Sequence, residues 1–89
     1  MIFQAITTKY YGPANVKGSR IKATAQAGTV WLEYDDGLSS EQNHNAAAKA
    51  LADRYGWSGG WIGGGLSTGG NCYVNVEAGE AFSIAKREG

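Results

Sequence analysis

Eight of the chain's fourteen glycines fall between Gly56 and Gly70. A glycine inside a helix or strand is about 0.5–1 kcal/mol less favourable than alanine, because it loses the most backbone freedom on ordering. Little regular structure is expected there beyond a short strand, so most of the core must come from the flanking sequence. With 89 residues the chain is long enough for one domain, 1–89, and too short for a two-domain enzyme or a large barrel. Three Trp and five Tyr supply large buriable rings that partly offset the glycine content.

The sequence before the glycine segment carries clear periodicity. Ile2 to Tyr10 reads as a strand, with Gln4, Ile6 and Thr8 on one face and Phe3, Ala5 and Thr7 on the other. Tyr11 to Ser19 is a polar loop holding the single proline, Pro13. Arg20 to Gln26 alternates, with Ile21, Ala23 and Ala25 against Arg20, Lys22, Thr24 and Gln26. After a tight turn at Ala27-Gly28, Thr29 to Asp35 alternates again, with Val30, Leu32 and Tyr34 inward and Trp31, Glu33 and Asp35 outward. The pair reads as a β-hairpin.

A helix is expected from Ser40 to Tyr55. Ser39 with Gln42 fits a capping box, and Gly56 followed by Trp57 fits a left-handed stop with an apolar residue packing back. Its alanine-rich face suits close approach to a sheet. Beyond it come a short strand at Trp61-Ile62 and a strand from Asn71 to Glu77, and a turn at Glu77-Ala78-Gly79-Glu80 leaves room for an optional sixth at Ala81 to Ala85. Residues 86–89 should fray. The order β-β-β-α-β-β implies an α+β fold, one helix on one face of a mostly antiparallel sheet of about five strands.

Several chemistries are excluded by the residues themselves. One cysteine, Cys72, allows no internal disulfide, and one histidine, His44, offers no zinc spacing motif. The glycine segment fails as a phosphate loop, because Gly70 stands where lysine is needed and a strand, not a helix, follows. His44 shares a helix face with Ala47, Ala48 and Leu51 and has no nucleophile motif beside it, so a packing role is expected. Cys72 is expected to behave as a small buried hydrophobe. The Asp35-Asp36-Gly37 stretch lacks the oxygen array of a calcium loop. No enzymatic activity, cofactor or metal is expected. No apolar run approaches the roughly 20 residues that span a bilayer, and no signal-peptide core opens the chain, so a cytoplasmic location is expected.

Charge is balanced overall, eight basic against eight acidic residues, yet unevenly distributed. The first 32 residues carry Lys9, Lys17, Arg20 and Lys22 and no acid, while residues 33 to 41 carry Glu33, Asp35, Asp36 and Glu41 and no base. Lysine and arginine interleaved with Tyr10, Tyr11 and Asn15 match the way a single-stranded nucleic-acid groove is built, by phosphate neutralisation and stacking. The competing expectation is ordinary cross-strand ion pairing of Arg20 and Lys22 with Glu33 and Asp35.

The strings Ile6-Thr7-Thr8-Lys9-Tyr10-Tyr11-Gly12-Pro13-Ala14-Asn15 and Gly18-Ser19-Arg20-Ile21-Lys22-Ala23 resemble those of small single-domain proteins of phages and mobile elements. So does Asn43-His44-Asn45-Ala46-Ala47-Ala48-Lys49-Ala50-Leu51-Ala52 running into Tyr55-Gly56-Trp57. The likeness covers roughly residues 4 to 76; Gly70-Asn71-Cys72-Tyr73-Val74 and the tail after it depart from it. It implies a non-enzymatic inhibitor of a host defence or nucleic-acid-handling complex, of the anti-CRISPR kind, acting sterically on a protein surface. The expected contact is Lys9, Tyr10, Tyr11, Asn15, Lys17, Arg20 and Lys22, with Asp35, Asp36 and Glu41 as second choice. Direct binding of single-stranded nucleic acid is the alternative, and exposed strand edges and Trp side chains leave a homodimer open.

Overall fold

The computed structural model describes residues 4–13, 18–77 and 81–85. Five strands, β1 (Ile6–Tyr11), β2 (Arg20–Ala25), β3 (Gly28–Glu33), β4 (Trp61–Gly65) and β5 (Asn71–Asn75), form one sheet in the order β3-β2-β1-β5-β4, every neighbouring pair antiparallel. One helix, α1 (Ser40–Arg54), lies against β1, β2 and β3. The fold is α+β with the element order β-β-β-α-β-β.

The alternation read from the sequence sets the two faces of the sheet. Ile6 and Thr8 of β1 and Ile21 and Ala23 of β2 point to the helix and are buried. They meet Ala47, Ala48, Leu51 and Ala52, whose short side chains let the helix approach closely. His44 is buried in this layer, its Nδ1 2.6 Å from Thr8 Oγ1, so the helix is tied to the central strand by a hydrogen bond as well as by apolar contact. His44 thus packs on the central strand, not on the sheet edge or solvent.

Both helix ends are built as the sequence indicated. Ser39 Oγ accepts from Gln42 N–H while Gln42 Oε1 accepts from Ser39 N–H. At the other end Trp57 N–H donates to Ala52 O and Gly56 N–H to Asp53 O, with Gly56 at φ +67°. This pattern requires the left-handed conformation that glycine adopts without strain. The helix therefore stops at Arg54 rather than Tyr55, which caps it. Among the described residues, no helix is long and apolar enough to cross a membrane.

Several segments differ from their sequence-based expectation; β3 ends at Glu33 rather than Asp35, and β5 at Asn75 rather than Glu77. The first strand starts at Ile6, not Ile2; Gln4 and Ala5 precede it without strand geometry, and Ile2 and Phe3 lie outside the described residues. The β2–β3 turn is Gln26-Ala27, and Gly28 already belongs to β3. A Cβ at Gly28 would displace the Tyr55 hydroxyl, which donates to Ala27 O and pins the turn. β4 continues through Gly63, Gly64 and Gly65 because all three pair with β5. Ala81 to Ala85 form no strand; they are exposed, with Phe82 89% accessible. Residues 86–89, read as frayed, lie outside the described residues.

β5 turns Asn71, Tyr73 and Asn75 toward the helix side and Cys72 and Val74 to the other. Cys72 is therefore half-buried on the open face rather than a core residue, paired with Thr7 and Gly64. Tyr73 is buried, its ring lying over Gly63, where a Cβ would come within 2.5 Å of it. The Tyr73 hydroxyl donates to Asn45 Oδ1 at 2.5 Å and accepts from Asn71 Nδ2 at 3.1 Å. Burial pushes the Tyr73 phenol above its ordinary value, against the Asn71 hydrogen bond, and the charge of Glu41 adds to the rise. The folded state thus prefers the neutral phenol. Its contribution is complete below the unfolded value of about 10 and is lost as pH rises beyond it. Thermal melts between pH 9 and about 11.5 should show the wild type losing stability more steeply than Tyr73→Phe; equal slopes would contradict this assignment.

Candidate functional site

The face of the sheet away from the helix is assembled by register. Tyr11 lies opposite Arg20, Lys9 opposite Lys22, Arg20 opposite Glu33 and Lys22 opposite Trp31. Strand alternation therefore gathers Lys9, Tyr11, Arg20, Lys22 and Trp31 on three adjacent strands, with Glu33 at the margin.

Their geometry is that of a layered cation–aromatic cluster. The Arg20 guanidinium lies 4.3 Å from the centroid of Trp31, and Lys22 Nζ lies 5.4 Å from the same ring. Lys9 Nζ lies 5.3 Å from the centroid of Tyr11, whose ring is tilted against Trp31 at 5.0 Å. Each cation lies over an aromatic ring, and among the described residues none is paired with an acid. Among the described residues the ion pair is Lys49–Asp53, on the exposed face of the helix. The expected pairing of Arg20 and Lys22 with Glu33 and Asp35 is half met in register and replaced in contact: Arg20 faces Glu33 but packs on Trp31, and Lys22 faces Trp31. Arg20 Nε is buried there without a hydrogen-bond partner among the described residues.

This arrangement is unfavourable for the isolated fold. Like charges directly opposite in an antiparallel pair destabilise by a few tenths to about 1 kcal/mol. Lys9 and Lys22 occupy such a pair at the middle of the β1–β2 ladder. Trp31 leaves 43% of its surface exposed beside them. A shallow concavity lined by Gly18, Ser19, Arg20, Trp31, Glu33 and Asp36 borders the cluster at the end of β2 and β3.

Of the residues expected to make contact, Lys9, Tyr11, Arg20 and Lys22 come together. Tyr10 does not: it sits on the helix side of β1, edge-on to Tyr34 at 5.4 Å, its hydroxyl 2.9 Å from Ser19 Oγ. The reason is the two-residue period, which sends neighbours Tyr10 and Tyr11 to opposite faces. Asn15 and Lys17 lie outside the described residues. Trp31 was absent from the expected contact, although its outward alternation in β3 and its place opposite Lys22 were legible.

The second-choice acidic residues have local tasks. Asp35 Oδ1 accepts from Gly37 N–H, closing the turn into the helix, and the Asp35 backbone is held at both groups by Asn43. Glu41 Oε2 accepts from Asn71 Nδ2, linking the helix start to β5, where a carboxylate is also favoured by the helix dipole. Asp36 is exposed and borders the concavity. Among the described residues no cluster of three or more His, Cys, Asp or Glu is placed to hold a metal ion.

Comparison with protein-family models, with curated proteins and with solved structures finds no match to this chain.

Proposed function

We propose that the protein is a binding domain whose open sheet face takes up single-stranded nucleic acid. The observation that carries the reading is the cluster of Lys9, Arg20 and Lys22 interleaved with Tyr11 and Trp31 on one face of the sheet. Cations neutralise phosphates and aromatic faces stack with bases, and one sheet face presents both side by side. A polyanion also relieves the Lys9–Lys22 repulsion that the fold alone leaves standing.

The exposed base platform is Trp31. Stacking on an aromatic side chain contributes about 1–3 kcal/mol per base, so Trp31→Ala should weaken binding of a labelled oligo-dT by about 5- to 150-fold. Fluorescence anisotropy of oligo-dT with wild type and variant checks this. Unchanged affinity removes Trp31 from the interface. The reading implied by the phage-type resemblance, a steric inhibitor of a host nucleic-acid-handling complex, uses the same residues. It becomes the assignment for this face if the protein binds no oligonucleotide at low salt.

A further inference from the structure

β4 is the outermost strand of the sheet. The hydrogen bonds Val76 N–H to Gly60 O and Leu66 N–H to Gly70 O bracket the β4–β5 hairpin and fix its phase. Ile62 and Gly64 therefore turn their backbone groups toward β5, and Gly63 and Gly65 turn theirs to the open edge. Edges are ordinarily blunted by lysine, proline, a bulge or a cover. From Tyr55 to Val76 the chain has no charged residue and no proline. Beside the edge, on the open face, Ile62 is 60%, Val74 46% and Val76 58% exposed.

Two glycines of this strand are not required by the chain around them. Gly63 makes room for the Tyr73 ring. Gly64 and Gly65 do not have positive φ, and among the described residues a Cβ on either would meet nothing within 4 Å. Each weakens the strand by about 0.5–1 kcal/mol relative to alanine. With neither a bulge nor a bend in the β4–β5 register, the remaining use of bare glycine in a strand is close approach by another backbone or ligand.

We infer that the occupant is β4 of a second copy, paired antiparallel about a two-fold axis through Gly63. In that register Gly63 faces its own counterpart, and the two exchange both backbone hydrogen bonds. Position 62 then lies opposite 64, and 61 opposite 65. Ile62 of each copy fills the open space above Gly64 of the other, and Trp61 stands opposite Gly65 on the helix side. The run Trp61-Ile62-Gly63-Gly64-Gly65 is thus self-complementary, its bulky half meeting its bare half. Charge agrees: a two-fold contact sets groups near the axis against their own kind, and an uncharged strand brings no repulsion there. The product is a continuous ten-stranded sheet with both Lys9–Arg20–Lys22 clusters on the same side, at opposite ends. This contact is independent of what the basic face binds.

Sedimentation velocity of the full chain over a concentration series reaching on the order of 100 µM tests it, spanning micromolar dissociation constants. The wild type should reach twice the 9.4 kDa chain mass. Gly64→Val fills the seat of Ile62 from the second copy while suiting a strand, and should return the mass to that of one chain with an unaltered far-UV spectrum. Ile62→Lys should do the same, and its exposure makes the fold indifferent to it. A wild type that stays at one chain mass throughout, or a dimer that persists in either folded variant, overturns the proposal.

Discussion

Replacing Arg20 and Lys22 together with glutamate is expected to lower affinity for a single-stranded oligonucleotide by at least about 100-fold, since two positive charges at the centre of the interface become two negative ones. The melting temperature should move little. Lys22→Glu converts the like-charge pair with Lys9 into an attractive one, while Arg20→Glu loses its stacking on Trp31 and meets Glu33. These act in opposite directions, and each is of the order of a few tenths to about 1 kcal/mol. Circular dichroism melts beside the binding isotherms separate the two effects. Binding that survives in a folded double variant would place the interface elsewhere.

The largest loss of stability is expected from Gly70→Ala. Gly70 adopts φ +84°, and a Cβ there would overlap the carbonyl oxygen of Thr8 in the neighbouring strand. The obstacle is backbone, and Thr8 itself is buried and bonded to His44, so neither side can yield cheaply. Left-handed strain and the overlap together should cost about 3 kcal/mol or more. For a domain of this size that is a fall in melting temperature of more than about 12 °C. Gly18→Ala, where φ is not positive and no atom of the described residues lies within 4 Å of the added Cβ, should change stability by less than about 1 kcal/mol and serves as the control. A Gly70→Ala protein as stable as the control would show that β1 and β5 are not held at this spacing.

The fold was legible wherever periodicity and capping agree. Ile21, Ala23, Val30 and Leu32 alternate without interruption, so the β2–β3 hairpin and its inward face follow from the sequence. Ser39, Gln42 and Gly56 bracket the helix because each satisfies a specific orphan backbone group. β4 was less legible, because Gly63, Gly64 and Gly65 carry only a turn signal in one dimension. What makes them a strand is pairing with β5 and the Tyr73 ring above Gly63, both long-range. The tail illustrates the opposite error: Phe82 and Ile84 alternate like a strand, yet both are exposed and the segment takes no strand geometry.

The candidate site was half legible for a related reason. Counting basic residues found Lys9, Arg20 and Lys22, but counting is blind to register. Only the pairing of three strands puts Lys9 beside Lys22, brings Trp31 into the cluster and sends Tyr10 to the far side. The acidic residues carried a charge signal too, but hydrogen bonds from Gly37 and Asn71 engage Asp35 and Glu41 in the fold.

The most direct measurement is the salt dependence of oligo-dT affinity for the wild-type protein. Three cations on three phosphates should give a slope of log K against log salt near −2, at about 0.7 per phosphate for a single strand. Between 50 and 200 mM salt the affinity should therefore fall by roughly 15- to 20-fold. Binding with no salt dependence, or none at all at 50 mM, would contradict the assignment of the Lys9–Arg20–Lys22 face to nucleic acid.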